Sequence, residues 1–207
     1  MIDTASVCTA FLKNDSKTRT ALVDTLGVSE DKTIVLMEFL CAIHDIGKVN
    51  SKFQSLEDSM IRYRHDIGGY LVLTRHLMQR IGPLFTTSPP IDRKLKSNLR
   101  TLLRCAAMHH GSPKGWSNEE YEESFPLMFD EQSLSASETV LSHIVELMQL
   151  EEGVFSQILE SEGFKQFSTL AAGVITLCDW IASGEFEYCS EPIPLELYRS
   201  RSIAHAS

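Results

Sequence analysis

The stretch CAIHDIGKVNSKFQ, Cys41 to Gln54, ends an apolar run on a histidine and an aspartate side by side. Gly47 and Lys48 follow at once. A His–Asp pair at the polar edge of a buried segment has two explanations. It closes a helix, with Gly47 as the C′ residue and Lys48 as a favourable last-turn cation. Or it holds a metal, since imidazole and carboxylate together suit divalent first-row ions.

Working outward, the hydrophobic spacing is helical almost throughout. Residues 30–46 carry Ile34, Leu36, Met37, Phe39, Leu40 and Ile43, which predicts a helix buried on most sides. Residues 3–13 form a short apolar segment. Residues 65–81 predict a further helix, stopped by the Gly-Pro at 82–83. TTSPP at 86–90 is a loop. Residues 91–109 place Leu95, Leu99, Leu102, Leu103 and Ala106 on one helix face, and GSPKGW at 111–116 breaks that helix. The acidic, aromatic stretch 117–130 reads as an irregular loop. Residues 135–150 and 152–161 give one or two amphipathic helices, and 166–182 gives an apolar one. A tail from about 184 to 207 reads as a short polar segment. No strand-like alternation and no internal repeat occur, so the expectation is one all-α domain over residues 1–207.

The totals agree with that class. The chain has 207 residues, 43% hydrophobic and 23% charged, enough for one well-buried core. No run of 18 or more apolar residues marks a membrane span. The first residues, MIDTASVCTAFLKND, have neither the basic region nor the long apolar core of a secretory signal. Five scattered cysteines (Cys8, Cys41, Cys105, Cys178, Cys189) read as small buried hydrophobes in a reducing, cytoplasmic setting. The formal net charge of −9 disfavours broad binding to a nucleic-acid backbone. It leaves room for a local basic track, and RKLKSNLRTLLR, Arg93 to Arg104, is such a run.

The chemistry sits at helix ends. His44 and Asp45 close one helix, His65 opens the next, His109 and His110 close a third, and Asp179 lies near the end of a fourth. A bridging Asp45 flanked by His44, His65, His109, His110 and Asp179 would supply ligands for two ions at the about 3.5–4 Å separation of two-metal hydrolysis. Each piece alone has a plainer explanation: a histidine at a helix C-terminus favours the macrodipole. His76 and His143, within helices and without an acidic or histidine partner pattern, read as ordinary surface or core residues. Four such features on four helix ends favour the metal.

HDIGK (44–48), KFQ (52–54), RHD (64–66), HHG (109–111) and DWIAS (179–183) together resemble the HD-domain phosphohydrolase superfamily. Within it they are most similar to the HD nuclease domain of the CRISPR-associated type I helicase-nuclease. The resemblance implies an α-helical HD-domain bundle and metal-dependent cleavage of single-stranded DNA in type I CRISPR interference. It implies that Asp45 bridges two ions, that His44 and Asp179 complete the first, and that His65, His109 and His110 hold the second. It implies Lys48 at the scissile phosphate, and Ser183 near substrate. Trp180 would stack a base or, the reading preferred from its apolar helix, sit in the core. Manganese, nickel, cobalt or iron suit such ligands better than magnesium, one or two ions per chain. Implied partners are single-stranded DNA, a separate or missing helicase, and the type I CRISPR surveillance complex, with no membrane. No GxxxxGK[ST] motif occurs, so ATP hydrolysis through a P-loop is not expected of this chain.

One element of the family pattern is missing. An H-x-x-D-x-A run would align Asp3 and Ala5 and put its histidine just ahead of Met1, so the first ion is expected to lack one ligand. Asp3, one helical turn away, is not expected to replace it. This raises a second expectation, a catalytically degenerate homologue that binds or regulates the CRISPR machinery. A nucleotide-hydrolysing HD enzyme is disfavoured by KFQ and DWIAS.

Overall fold

The structure is a computed structural model, and it describes residues 1–54, 64–87, 92–111, 123, 125–186 and 193–207. Cys189 and nearly all of 112–124 lie outside the described residues. Among those described, every regular element is helical: α1 (Ile2–Asn14), α2 (Ser16–Leu26), α3 (Glu30–Ile43), α4 (Ser51–Gln54), α5 (His65–Leu71), α6 (Met78–Phe85), α7 (Arg93–Ala107), α8 (Glu131–Leu147), α9 (Phe164–Glu185) and α10 (Leu195–Ala206). The all-α bundle expected from the sequence is the observed fold.

Local chemistry sets the boundaries. Asp15 caps α2, its carboxylate accepting from the Lys17 and Thr18 amides, and Gly27 ends that helix at φ 68°. Ser29, Asp92 and Asp130 cap α3, α7 and α8 in the same way. The core runs between α1, α3, α7 and α9, with Leu12, Leu36, Phe39, Leu40, Leu99, Leu103, Phe167 and Ile175 fully buried. Phe39 and Phe85 both pack on Phe155, at ring centroid distances of 5.5 and 5.1 Å. Helix α9 is long and apolar enough, by length and composition, to cross a membrane. Here it is a core helix, packed against α1, α2, α3 and α7.

Several sequence expectations are corrected. The helix expected over 65–81 is interrupted: α5 gives way to a π-helical segment at Val72–His76 before α6 resumes. Pro83 does not stop α6 but lies in its last turn. The carbonyls of Pro83 and Leu84 accept from the amides of Gly153 and Phe155 (both 2.8 Å), so a distant loop satisfies that helix end. Residues 152–161 are turns with a 3-10 turn at Ile158–Glu160, not a helix. The segment read as a polar tail carries α10, which lies against α1. Helix α2, unanticipated, buries only Leu22 and Leu26.

Candidate metal centre

Helix α3 delivers the first two residues. His44 is its C-cap residue and Asp45 follows, leading into a 3-10 turn at Ile46–Val49 that carries Lys48. The His44 ring is held from behind. Its Nδ1 lies 2.6 Å from the Cys41 carbonyl oxygen, so Nδ1 carries the proton and donates it. Nε2 then faces two carboxylates, Asp179 Oδ1 at 3.1 Å and Asp45 Oδ2 at 3.3 Å. A bare nitrogen lone pair aimed at two anions is stable only with a cation between them, a proton or a metal.

Gly47 brings the second half of the site into place. A Cβ at this position would collide with the His65 carbonyl oxygen and lie 2.6 Å from the Gly69 amide nitrogen. The residue is therefore a close-approach glycine, not a helix C′ residue, since its φ is not positive. The start of α5 packs directly against the 3-10 turn and sets His65 Nε2 3.4 Å from Asp45 Oδ1. Arg64 pairs with the buried Asp66, which fixes the beginning of α5. In the KFQ run, the Phe53 ring meets His65 edge-on at 5.4 Å, and Gln54 donates to the Lys48 carbonyl at 2.7 Å. These two positioning contacts give the KFQ motif a physical role that sequence alone did not reveal.

The C-terminal end of α7 supplies His109 and His110. His109 is buried, and its Nε2 lies 3.6 Å from Asp45 Oδ1 and 3.8 Å from Asp179 Oδ2. His110 is exposed and lies edge-on to His65, with ring centroids 5.1 Å apart. Asp179 comes from α9, and Ser183 Oγ, one turn on, is 3.5 Å from its Oδ1. All eight residues singled out from the sequence thus converge. Five of them form two overlapping sets of three donors: His65, His109 and His110 in one, His44, His109 and Asp179 in the other. His109 belongs to both sets, whereas sequence reading had placed it in the second alone. Asp45 stands between them, with Oδ2 toward His44 and Oδ1 toward His65 and His109.

The electrostatics follow from burial and charge. Burial opposes protonation of His44, but its bonds to Asp179 and Asp45 outweigh this and raise its pKa. Burial likewise opposes ionisation of Asp45, yet His44 and Lys48 hold its pKa well below the usual carboxylate range. Lys48 Nζ lies 2.6 Å from Asp45 Oδ2. His109 is pushed down to about 4, by burial first and by the neighbouring His44 second. His65 is lowered too, chiefly by burial. Both rings are therefore neutral, ligand-ready donors at neutral pH.

Asp45 Oδ1, His65 Nε2 and His109 Nε2 are buried and have no hydrogen-bond partner among the described residues. Three orphaned polar atoms aimed at one another cost several kcal/mol in total unless something fills the space between them. A divalent cation fits: the donors are nitrogen and carboxylate oxygen, and the ring nitrogens on the far side of His44 and His109 face main-chain carbonyls, the usual support for a ligating imidazole. Beside the site opens a cleft of about 500 Å³ lined by Asp45, Lys48, Asp179 and Ser183 and by Met1, Asp3 and Tyr198. Asp3 does not reach into the donor sets, because Tyr198 and Ser202 each donate to one of its oxygens at 2.8 Å.

The family model described as "Cas3, HD domain" matches residues 1–186. The chain belongs to the Cas3 HD-domain family. Among solved structures, this HD domain is similar to a CRISPR-associated protein, with a TM-score of 0.74 at 19% identity, covering 100% of this chain and 24% of that one. It is similar to the Thermus thermophilus cas3 HD domain in the presence of Ni2+, with a TM-score of 0.67 at 21% identity, covering 100% of this chain and 79% of that one. It is also similar to T. fusca Cas3, with a TM-score of 0.63 at 16% identity, covering 99% of this chain and 23% of that one. No match was found among curated protein sequences. This HD domain spans about a quarter of the length of the CRISPR-associated protein it resembles.

Two residues depart from their sequence reading. Trp180, read as core, is 69% exposed on α9 beside the buried Asp179. His76, read as an ordinary surface or core residue with no partner pattern in the sequence, lies 2.8 Å from Glu138 Oε1. The pairing joins α8 to the π-helical segment and was invisible to local spacing.

Proposed function

We propose that this HD domain is a metal-dependent deoxyribonuclease that hydrolyses phosphodiester bonds of single-stranded DNA in type I CRISPR interference. The observation that carries the reading is the convergence of three buried ligand atoms without a hydrogen-bond partner among the described residues, Asp45 Oδ1, His65 Nε2 and His109 Nε2. His65, His109 and His110 would hold one ion, and His44 and Asp179 another, with Asp45 between the two sets; the single lone pair of His109 Nε2 can serve only one ion. When bound, the ions would supply an activated water and charge stabilisation at the phosphate. Manganese, nickel, cobalt or iron suit these donors best. Nickel has support from one structural relative, the Thermus thermophilus cas3 HD domain, whose crystal structure was determined in the presence of Ni2+.

The residues have separable tasks. Asp45, ionised at any working pH, faces His44 with one oxygen and His65 with the other. Lys48, half-exposed at the cleft, is a compact cation able to leave Asp45 for a phosphate oxygen. Ser183 holds Asp179 and borders the cleft where the strand would lie. Trp180, exposed one residue from Asp179, offers a face on which a base can stack. A helicase, in trans or on the same polypeptide, would deliver the strand. The fold also resembles a chain of a CRISPR RNA-guided surveillance complex in its pre-nicking state, which supports that complex as a partner.

A second reading, a degenerate homologue that binds the CRISPR machinery without cutting, is favoured by one observation. The set at His44 offers only three donors, and His109 is shared with the other set. Metal analysis of the purified chain, with a manganese-supplemented assay on circular single-stranded DNA, separates the two. Bound metal with degradation, lost on Asp45→Ala, is the expected outcome. A metal-free, inactive chain that still associates with the surveillance complex would replace the nuclease by the degenerate homologue.

A further inference from the structure

Helix α7 ends at His109 and His110, and its solvent face has a charge unlike the rest of the molecule. Arg93, Lys94, Lys96, Arg100 and Arg104 are all exposed, and no acidic residue lies between Arg93 and Ala107. The chain as a whole carries 28 acidic side chains against 19 basic ones. At about 100° per residue, Arg93, Lys96, Arg100 and Arg104 fall within one narrow stripe along the helix. The adjoining face buries Leu99, Leu102, Leu103 and Ala106, so the stripe cannot rotate inward. Successive stripe members are separated by about 4.5–6 Å of helix rise. That is of the order of one phosphate repeat in an extended strand. The stripe runs toward the end of α7 that carries the two histidines.

We infer that this stripe is a backbone track, on which the phosphates of a single strand lie as it passes to the metal centre. The inference rests on the nuclease reading for what happens at the end of the track, but not for the binding itself. A row of point charges with no aromatic side chain interleaved reads phosphate and not base, so the track is indifferent to sequence. In a molecule of net charge −9, it also sets the direction of approach: a strand is repelled by most of the surface and attracted along α7. Lys48 supplies a further cation at the cleft, beside Asp45.

Binding of a fluorescent single strand of about 30 nucleotides to the 207-residue chain, in chelator without metal, tests the track apart from catalysis. The probe is titrated over a range of salt concentrations. The triple variant Arg93→Gln, Lys96→Gln, Arg100→Gln replaces exposed positions with a residue of similar helix propensity, so the fold is retained. It should bind about 10-fold or more weakly, and its salt slope should fall by about 2, three contacts at ~0.7 each. A control double variant, Lys165→Gln with Arg201→Gln, removes exposed cations on α9 and α10 and should bind like the parent. Equal affinities and slopes for triple variant and parent would overturn the track. So would an equal loss in the control, which would reduce the effect to net charge. An intact track on a chain that shows no manganese-dependent cleavage would overturn the nuclease reading alone.

Discussion

At the scale of the residue, Gly47 and His109 decide most. Gly47→Ala would force a methyl group into the His65 carbonyl and the Gly69 amide, both main-chain atoms that cannot yield cheaply. The expected cost is about 2–4 kcal/mol of stability, read by chemical denaturation, with loss of manganese binding because His65 moves off Asp45. The HDIGK motif announced its histidine, aspartate and lysine, each legible as chemistry. It concealed the reason for its glycine, which lies in a contact with His65 and Gly69 on α5. His109 governs a pH dependence. Its folded pKa, about 4, lies below the unfolded value near 6.5, so between these limits the unfolded chain binds more protons. Stability of the metal-free protein therefore falls as pH drops from about 6.5 toward about 4 on this residue's account. His65 acts in the same direction. His44, raised, does the reverse: its contribution is complete below its unfolded value and is lost as pH rises through the folded one. His109→Gln should flatten the acid limb of a stability–pH profile measured by urea denaturation. An unchanged acid limb would mean that His109 is not held neutral.

At the scale of the element, apolar helices were more legible than polar ones. The strongly periodic α3, α7 and α9 were evident because they bury broad apolar faces. Helix α10 was not, because among its residues only Ser202 is buried and no apolar stripe exists to be seen. It is held by polar bonds instead. Tyr198 and Ser202 clasp Asp3, while Arg199 donates to Glu38 Oε1 at 2.6 Å and to the Leu147 carbonyl at 2.9 Å. Arg199 thereby ties α10 to α3 and α8 at once. Glu38 is buried, and losing its partner leaves an uncompensated carboxylate. Arg199→Ala should cost about 1–3 kcal/mol, the desolvation penalty of a group left unpaired, whereas Arg199→Lys should recover part of it. Equilibrium denaturation of the two variants measures the difference. The same logic explains the missed boundary at Pro83: its helix end is completed by the Gly153 and Phe155 amides, far along the chain from their acceptors, and local sequence carries no trace of them.

At the scale of the whole molecule, the site is where four separate helices meet, and its charge determines what the fold needs. Asp45 and Asp179 come from α3's end and α9, His65 from α5, and His109 with His110 from the end of α7. Without an ion, the orphaned atoms of Asp45, His65 and His109 oppose the packing that brings them together. With one, the same atoms bind four helices through a single centre. Metal should therefore stabilise the whole bundle and not merely enable chemistry. A ligand that binds only the native state adds about 2.7 kcal/mol at 100 times its dissociation constant. For a chain of this size that corresponds to a Tm rise of about 5–10 °C. Thermal unfolding with excess manganese, then with chelator, should show that rise and its reversal. In Asp45→Ala the rise should vanish, because the carboxylate between the two donor sets is gone. A manganese-induced rise that survives Asp45→Ala would place the ion elsewhere in the molecule, and the convergence of the four helices would then serve packing alone.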